Sequence, residues 1–273
     1  MNGRLMRGEE AAISLFDRGA RDGEGLFETL RFEDGHPRFW QRHLERLVLS
    51  AAELGFPVPP SPARLAAACE ELLAADGLTD AVVRITVTRG VPGGRPTRCG
   101  CWIEAEPLGA RLWRGTRSLA ARVVISRTPF EPGAIGRHKT TSRLAYHLAR
   151  EEARAAGADE ALLASASGEL LEGAVSNVFA LIDGVLATPP LARGILPGIA
   201  RAVVIEASHA LGIQAHERAL QVADLARAQA MLLTNCVQQV VPVVSIEGRA
   251  IGTWEMSRRL LAEFRAAAEA SAR

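Results

Sequence analysis

A chain of 273 residues is long enough to bury one large core or two moderate ones. Its 48% hydrophobic and 23% charged residues suit a globular, enzyme-sized protein. With 32 Lys and Arg against 31 Asp and Glu, and no basic block interleaved with aromatics, there is no electrostatic case for nucleic acid or a membrane surface as partner.

The N-terminal stretch MNGRLMRGEEAAISLFDRG lacks the apolar run of a signal peptide, and no later stretch approaches a membrane span, so a cytoplasmic protein is expected. The cysteines are Cys69, Cys99, Cys101 and Cys236. Their CxC pair lacks the second pair or the histidines of a zinc site, so reduced thiols and no metal are expected.

After a turn-like SLFDRGARDGEG, the segment LFETLRFEDGHPRFW reads as two strands around an Asp34-Gly35 hairpin turn. QRHLERLVLSAAELG follows with apolar residues at Leu44, Leu47, Leu49, Ala51 and Leu54, a helical period closed by Gly55. SPARLAAACEELLAADG is a second helix, with Ser61 as N-cap and Pro62 at its first position. The strands AVVRITVTRG and RCGCWIEAEP come next, joined by VPGGRPT.

Residues 107–117 lack periodicity and read as a connection between an N-terminal domain, 1–112, and a C-terminal domain, 118–273. Beyond it come the strand RVVISRT, the helix TTSRLAYHLAREEARAAG, and the strands DEALLAS and NVFALID, the last entering an Asp183-Gly184 turn. The loop LARGILPG opens the helix IARAVVIEASHALG. QAMLLTN and QVVPVVSIEG read as buried strands, and EMSRRLLAEFRAAAEA as a closing helix. This alternation predicts an α+β or mixed α/β fold in two domains.

Four places carry candidate chemistry. Lys139 stands in GRHKTTSRL, where Thr140, Thr141 and Ser142 are competent N-caps, so the spacing puts it at or just before a helix start. The positive helix end and the neighbouring Arg137 and His138 disfavour an ammonium there, which would make the amine a nucleophile for an imine and then a base. The bland alternative is a surface lysine in a basic turn. In RGILPGIAR, the amides of Ile199 and Ala200 open a helix and offer a phosphate site; an ordinary loop-to-helix junction is the alternative. In ELLEGAVSNVFAL, Glu172 is either a solvated turn acid or a buried partner for a protonated ring nitrogen. In HLERL, Arg46 either snorkels from a core-facing stripe or grips a phosphate. Together these supply an amine, a carboxylate and two phosphate elements, the needs of pyridoxal 5'-phosphate.

At this point the chain resembles the fold-type IV pyridoxal-phosphate enzymes, also called class IV aminotransferases. DRGARDGEGLFETLR is similar to the family's N-terminal signature, HLERL to the segment with the phosphate-binding arginine, and HKTTSRL to the cofactor-lysine segment. LLEGAVSNVF and GILPGIAR resemble the acid and phosphate-loop signatures, all five in the family's order. The resemblance implies that Lys139 holds the cofactor covalently and moves protons, and that Glu172 pairs with the pyridine nitrogen. It implies that Arg46, the amides of Ile199 and Ala200, and the Asn235-Cys236 turn hold the phosphate. It further implies a small N-terminal α+β domain, a larger C-terminal pseudobarrel domain, a site between them, and a homodimer. Ala200 replaces the family's usual threonine, which removes a hydroxyl and leaves the amide.

Within the family, LLTNCVQQVVPV and TRGVPGGR resemble the lyase branch that turns 4-amino-4-deoxychorismate into 4-aminobenzoate and pyruvate for folate synthesis. Arg95 is then a candidate clamp for a substrate carboxylate, with a solvent-facing loop arginine as the alternative. Thr29 is a candidate hydrogen-bonding residue near the reacting centre, or a strand threonine without a chemical role. The rival function is an aminotransferase acting on D-amino acids, branched-chain amino acids or amines. The chain has one tyrosine, Tyr146, which tilts against the branched-chain case.

Overall fold

The computed structural model describes residues 1–93, 100–111, 120–252 and 255–272. Arg95, Cys99 and residues 112–117 of the expected connection lie outside them. The chain divides into two units, one of Met1–Gly115, His138–Ser142 and Ser271–Arg273, the other of Thr116–Arg137 and Arg143–Ala270.

In the first unit a short helix α1 (Arg18–Asp22) is capped by Asp17, whose carboxylate accepts from the Gly19 amide at 2.7 Å. Strand β1 (Gly25–Glu33) turns through Asp34 and Gly35, both at positive φ, into β2 (His36–Pro37), the hairpin read from the sequence. Helices α2 (Trp40–Glu53) and α3 (Pro62–Asp76) precede β3 (Ala81–Thr88) and β4 (Cys101–Pro107). The four strands form an antiparallel sheet in the order β2-β1-β3-β4.

Period-two alternation sends Leu26, Leu30 and Phe32 of β1 and Val83, Ile85 and Val87 of β3 into one core. Leu44 and Leu47 of α2 and Leu65, Cys69 and Leu73 of α3 complete it. Leu49, expected on that stripe, is exposed, because the 3.6-residue period gives the inner positions to Ser50 and Ala51. Ser61 sits at the α3 N-cap ahead of Pro62 but makes no capping hydrogen bond.

In the second unit the described strands form one ten-stranded mixed sheet. In chain order they are β5 (Ala121–Ile125), β6 (Glu160–Ala164), β7 (Glu169–Gly173), β8 (Asn177–Ile182), β9 (Val185–Thr188), β10 (Ala215–Glu217), β11 (Leu220–Gln221), β12 (Ala230–Asn235), β13 (Gln239–Ile246) and β14 (Arg249–Ala250). The sheet order is β10-β9-β8-β12-β13-β5-β6-β7-β11, with β14 beside β13. Pairs β5–β6, β5–β13 and β9–β10 are parallel. Every residue of β6, β7 and β8 is buried, so these strands are covered on both faces and show no alternation.

Helix α4 (Leu144–Ala155) packs on β6, α5 (Ile199–Ala210) on β12, and α6 (Met256–Ala270) on β13 and α5. The two- and three-residue strands β10, β11 and β14 escape sequence reading because so few positions carry no pattern. No helix among the described residues is long and apolar enough to cross a membrane.

Phe179, fully buried at the middle of β8, tests this packing. Phe179→Ala should lower the unfolding free energy by about 3–5 kcal/mol in denaturant titration. An unchanged midpoint would contradict the buried position.

Candidate active site

Residues 138–142 run beside the start of β1. The Phe27 amide donates to the Lys139 carbonyl at 2.9 Å, the Thr141 amide donates to the Gly25 carbonyl at 2.9 Å, and Thr140 bridges Leu26. The Thr141 and Ser142 hydroxyls donate to the Gly23 carbonyl at 3.0 and 3.1 Å. At the other end, His138 is buried with Nδ1 3.0 Å from Ser50 Oγ and Nε2 3.6 Å from Glu53.

This corrects the expected helix start. Helix α4 begins at Leu144, with Arg143 rather than a hydroxyl residue at its N-cap. The hydroxyls between Lys139 and the helix anchor the segment to Gly23 instead of capping the helix. The helix field falls off within its first turn, so it is not what acts on Lys139. An aromatic ring does reach it: Lys139 Nζ lies 4.6 Å from the centroid of Phe27.

Phe27 also carries Arg84, whose guanidinium carbon is 3.7 Å from the same centroid. Thr29 is on the Phe27 face of β1, half-buried, and pairs in register with Arg84 of β3. One sheet face thus gathers Lys139, Phe27, Thr29 and Arg84. Arg84 was not singled out from the sequence. Its signal was available: a cation inside an otherwise apolar strand, in register with FET.

Arg46 belongs to the opposite face. Glu28, the next residue along β1, points toward α2 and is 1% exposed. It accepts from Arg46 Nε at 2.8 Å and Nη2 at 2.6 Å, and lies 2.7 Å from His43 Nδ1. Burial by itself would raise the Glu28 pKa, but the charge and hydrogen bonds of Arg46, with those of His43, outweigh it and bring it down to about 2. Arg46 is therefore neither a snorkelling side chain nor a loose one: a buried carboxylate aims it.

In the second unit, Glu172 of β7 is 3% exposed, so the solvated-turn reading fails. Its Oε1 accepts from the Tyr146 hydroxyl at 3.3 Å and its Oε2 from the Leu196 amide at 3.2 Å. A buried, doubly hydrogen-bonded acid fits the cationic nitrogen of a heterocycle.

Helix α5 opens at Ile199 and Ala200 behind Gly198, which has no side chain to cap their amides. A Cβ at Gly198 would stand 1.9 Å from Asn177 Oδ1, so only glycine lets Asn177 close on this turn. Asn177 in turn donates to the Leu196 carbonyl at 3.0 Å. Arg201, 3% exposed, ties the first turn of α5 to the Pro189 carbonyl and Glu217.

Asn235 and Cys236 open the β12–β13 turn, where the Asn235 side-chain oxygen accepts from the Val237 and Gln238 amides at 3.0 and 2.8 Å. The side chain of Asn235 shapes the turn itself. Beside it, the buried Thr234 hydroxyl has no hydrogen-bond partner among the described residues. Uncapped amides and a buried hydroxyl without a partner are donors suited to a phosphate group, and with Glu172 they fit the cofactor expected from the sequence.

The family model for class IV amino-transferases matches residues 25–246. The chain belongs to the class IV aminotransferase family. It is 34% identical to the "Putative branched-chain-amino-acid aminotransferase" of Methanocaldococcus jannaschii, over 97% of this chain and 94% of that one. The branched-chain-amino-acid aminotransferase of Escherichia coli is 30% identical over 92% of this chain and 85% of that one. The D-alanine aminotransferase of Bacillus licheniformis is 29% identical over 92% and 89%.

A crystal structure of the E. coli branched-chain enzyme superimposes with a TM-score of 0.88 at 27% identity, covering 100% of this chain and 94% of that one. A hypothetical aminotransferase of Mycobacterium tuberculosis in its PLP-bound form gives 0.87 at 26%, over 98% and 97%. The "Putative 4-amino-4-deoxychorismate lyase" of Legionella pneumophila gives 0.85 at 24%, over 94% and 96%, a likeness of fold alone. The two-domain, mixed fold expected from the resemblance is that of this family, and its cofactor is pyridoxal phosphate.

Glu28 yields a test with a definite sign. A carboxylate depressed from 4.5 to about 2 stabilises the folded state above pH 4.5, and that contribution is lost as pH falls toward 2. Glu28→Gln should abolish this acid-range dependence and leave Arg46 without its buried counter-ion, destabilising the protein by about 3–5 kcal/mol at neutral pH. Unfolding titrations of both proteins across pH 2 to 7 check it; parallel curves would refute the pairing.

Proposed function

We propose that the chain is an aminotransferase that moves an amino group between an α-amino acid and a keto acid, with branched-chain amino acids as its first substrate class. The observation that carries this is 34% identity along 97% of the chain to the "Putative branched-chain-amino-acid aminotransferase" of M. jannaschii, with 30% to the branched-chain enzyme of E. coli. Tyr146, the single tyrosine, is buried against Glu172, so no tyrosine stands ready for the substrate; the identity to the branched-chain relatives outweighs that feature.

Bound to the protein, pyridoxal phosphate supplies an electron sink for negative charge at the substrate α-carbon. Lys139 supplies the amine that holds the cofactor and, when released, the base that takes and returns the α-proton at Nζ. Phe27 keeps that amine over an apolar ring and limits its directions. Arg84, on the same ring, is the guanidinium proposed for a substrate carboxylate. Glu172 would face the ring nitrogen and favour its protonated form. The amides of Ile199 and Ala200, with Arg46 aimed by Glu28, neutralise the phosphate. Thr29 lies in register with Arg84 and is proposed to shape the substrate side of the sheet.

A second reading is kept for one feature, the run LLTNCVQQVVPV, which is similar to the lyase branch. The same amine and acid would serve an elimination that releases pyruvate. We further propose a homodimer, supported by the exposed apolar side chains of Leu15 and Phe16.

The two activities separate cleanly in solution. Enzyme loaded with pyridoxal phosphate should transfer the amino group of L-leucine or L-valine to 2-oxoglutarate, and D-alanine tests the neighbouring substrate class. Release of 4-aminobenzoate and pyruvate from aminodeoxychorismate, with no amino transfer from any amino acid, would replace this reading with the lyase. Lys139→Ala should lower turnover by at least about a hundredfold with either chemistry. Sedimentation should show a dimer.

A further inference from the structure

We propose that Arg143 and Tyr146 are positioning residues for Glu172, the guanidinium fixing the phenol and the phenol fixing the carboxylate oxygen that the Leu196 amide leaves to it. This rests on the reading of Glu172 as the partner of the cofactor's ring nitrogen. Arg143, at the N-cap of α4, lays its guanidinium carbon 3.4 Å from the Tyr146 ring centroid and donates from Nη2 to the Ala174 carbonyl at 2.8 Å. Phe130 braces the ring edge-on, with centroids 4.8 Å apart. The phenol, 9% exposed, donates to Glu172 Oε1 at 3.3 Å.

That hydrogen bond is long for an O–H···O contact, so its effect belongs to the modest range. Its polarity is nevertheless fixed. Burial first, then the negative charge of Glu172, pushes the Tyr146 phenol up from its ordinary 10.0, so it stays a donor. Arg143 balances the buried charge of Glu172 and of Glu160 on the neighbouring strand β6. The carboxylate is thereby held from both oxygens, by a backbone amide and by a phenol that cannot turn away.

Tyr146 is the only tyrosine in the chain, so tyrosinate absorption in the cofactor-free protein reports it alone. The phenol should ionise well above 10.0, and Glu172→Gln should bring its midpoint down by about one pH unit or more. Tyr146→Phe keeps the ring beneath Arg143 and removes only the hydroxyl. It should weaken pyridoxal phosphate uptake by the apo-protein about tenfold and lower kcat about tenfold, with the amino-acid KM within about twofold of the parent. Arg143→Met should do the same to a smaller degree.

An unmoved tyrosinate midpoint in Glu172→Gln, or parental uptake and kcat in Tyr146→Phe, would overturn the proposal; so would a KM rising in step with the loss of kcat. Should Tyr146→Phe fail to fold, the tyrosinate comparison decides. A parent protein that takes up no pyridoxal phosphate would instead sink the reading of Glu172 itself, and the apo-protein titration would still judge the Tyr146–Glu172 contact.

Discussion

Two backbone hydrogen bonds, from Phe27 to Lys139 and from Thr141 to Gly25, lay Lys139 along the first strand of the sheet. The placement of Lys139 against Phe27 and Arg84 follows from this contact. Lys139 lies far along the sequence from β1, and a side chain so remote needs a rigid track if its amine is to be placed to within a fraction of an ångström. The track is closed at both ends by side chains, His138 against Ser50 and the two hydroxyls against the Gly23 carbonyl. Gly23 accepts these bonds from a left-handed turn that caps α1, so the DRGARDGEG run anchors the segment that carries Lys139.

Each unit also buries a carboxylate and manages its charge in a different way. Glu28 is met by a full cation and a histidine, and its ionised state is strongly favoured. Glu172 accepts from a phenol and an amide, and the guanidinium of Arg143 stacks on the phenol ring. The first arrangement is a buried ion pair that fixes the geometry of Arg46. The second holds an acid by directional hydrogen bonds to both oxygens, with the charge of Arg143 close by.

The sites legible in the sequence were those whose spacing is itself the signal. The Glu172 segment, the Pro197-Gly198 opening of α5 and the Asp34-Gly35 turn could be read because local backbone chemistry dictates them. The contacts of Arg84 with the Phe27 ring and of Tyr146 with Glu172 were not legible. Strand periodicity says which face a residue takes but not which ring it shares with a lysine more than fifty positions away. The misplaced start of α4 has the same origin: Thr140, Thr141 and Ser142 are good caps locally, and a distant carbonyl at Gly23 outcompeted the helix for two of their hydroxyls.

What the sequence alone determined, then, was the inventory: the amine, the acid, the glycine-opened helix, the family and the cofactor those motifs imply. Local hydrogen-bonding and turn chemistry write these into short runs of residues. Tertiary structure alone decided the company each one keeps. It turned Arg46 toward Glu28, set Lys139 on Phe27 beside Arg84, and put a phenol beneath Glu172. Such pairings join residues from separate elements, and only the packing of a folded core brings those elements within hydrogen-bonding reach.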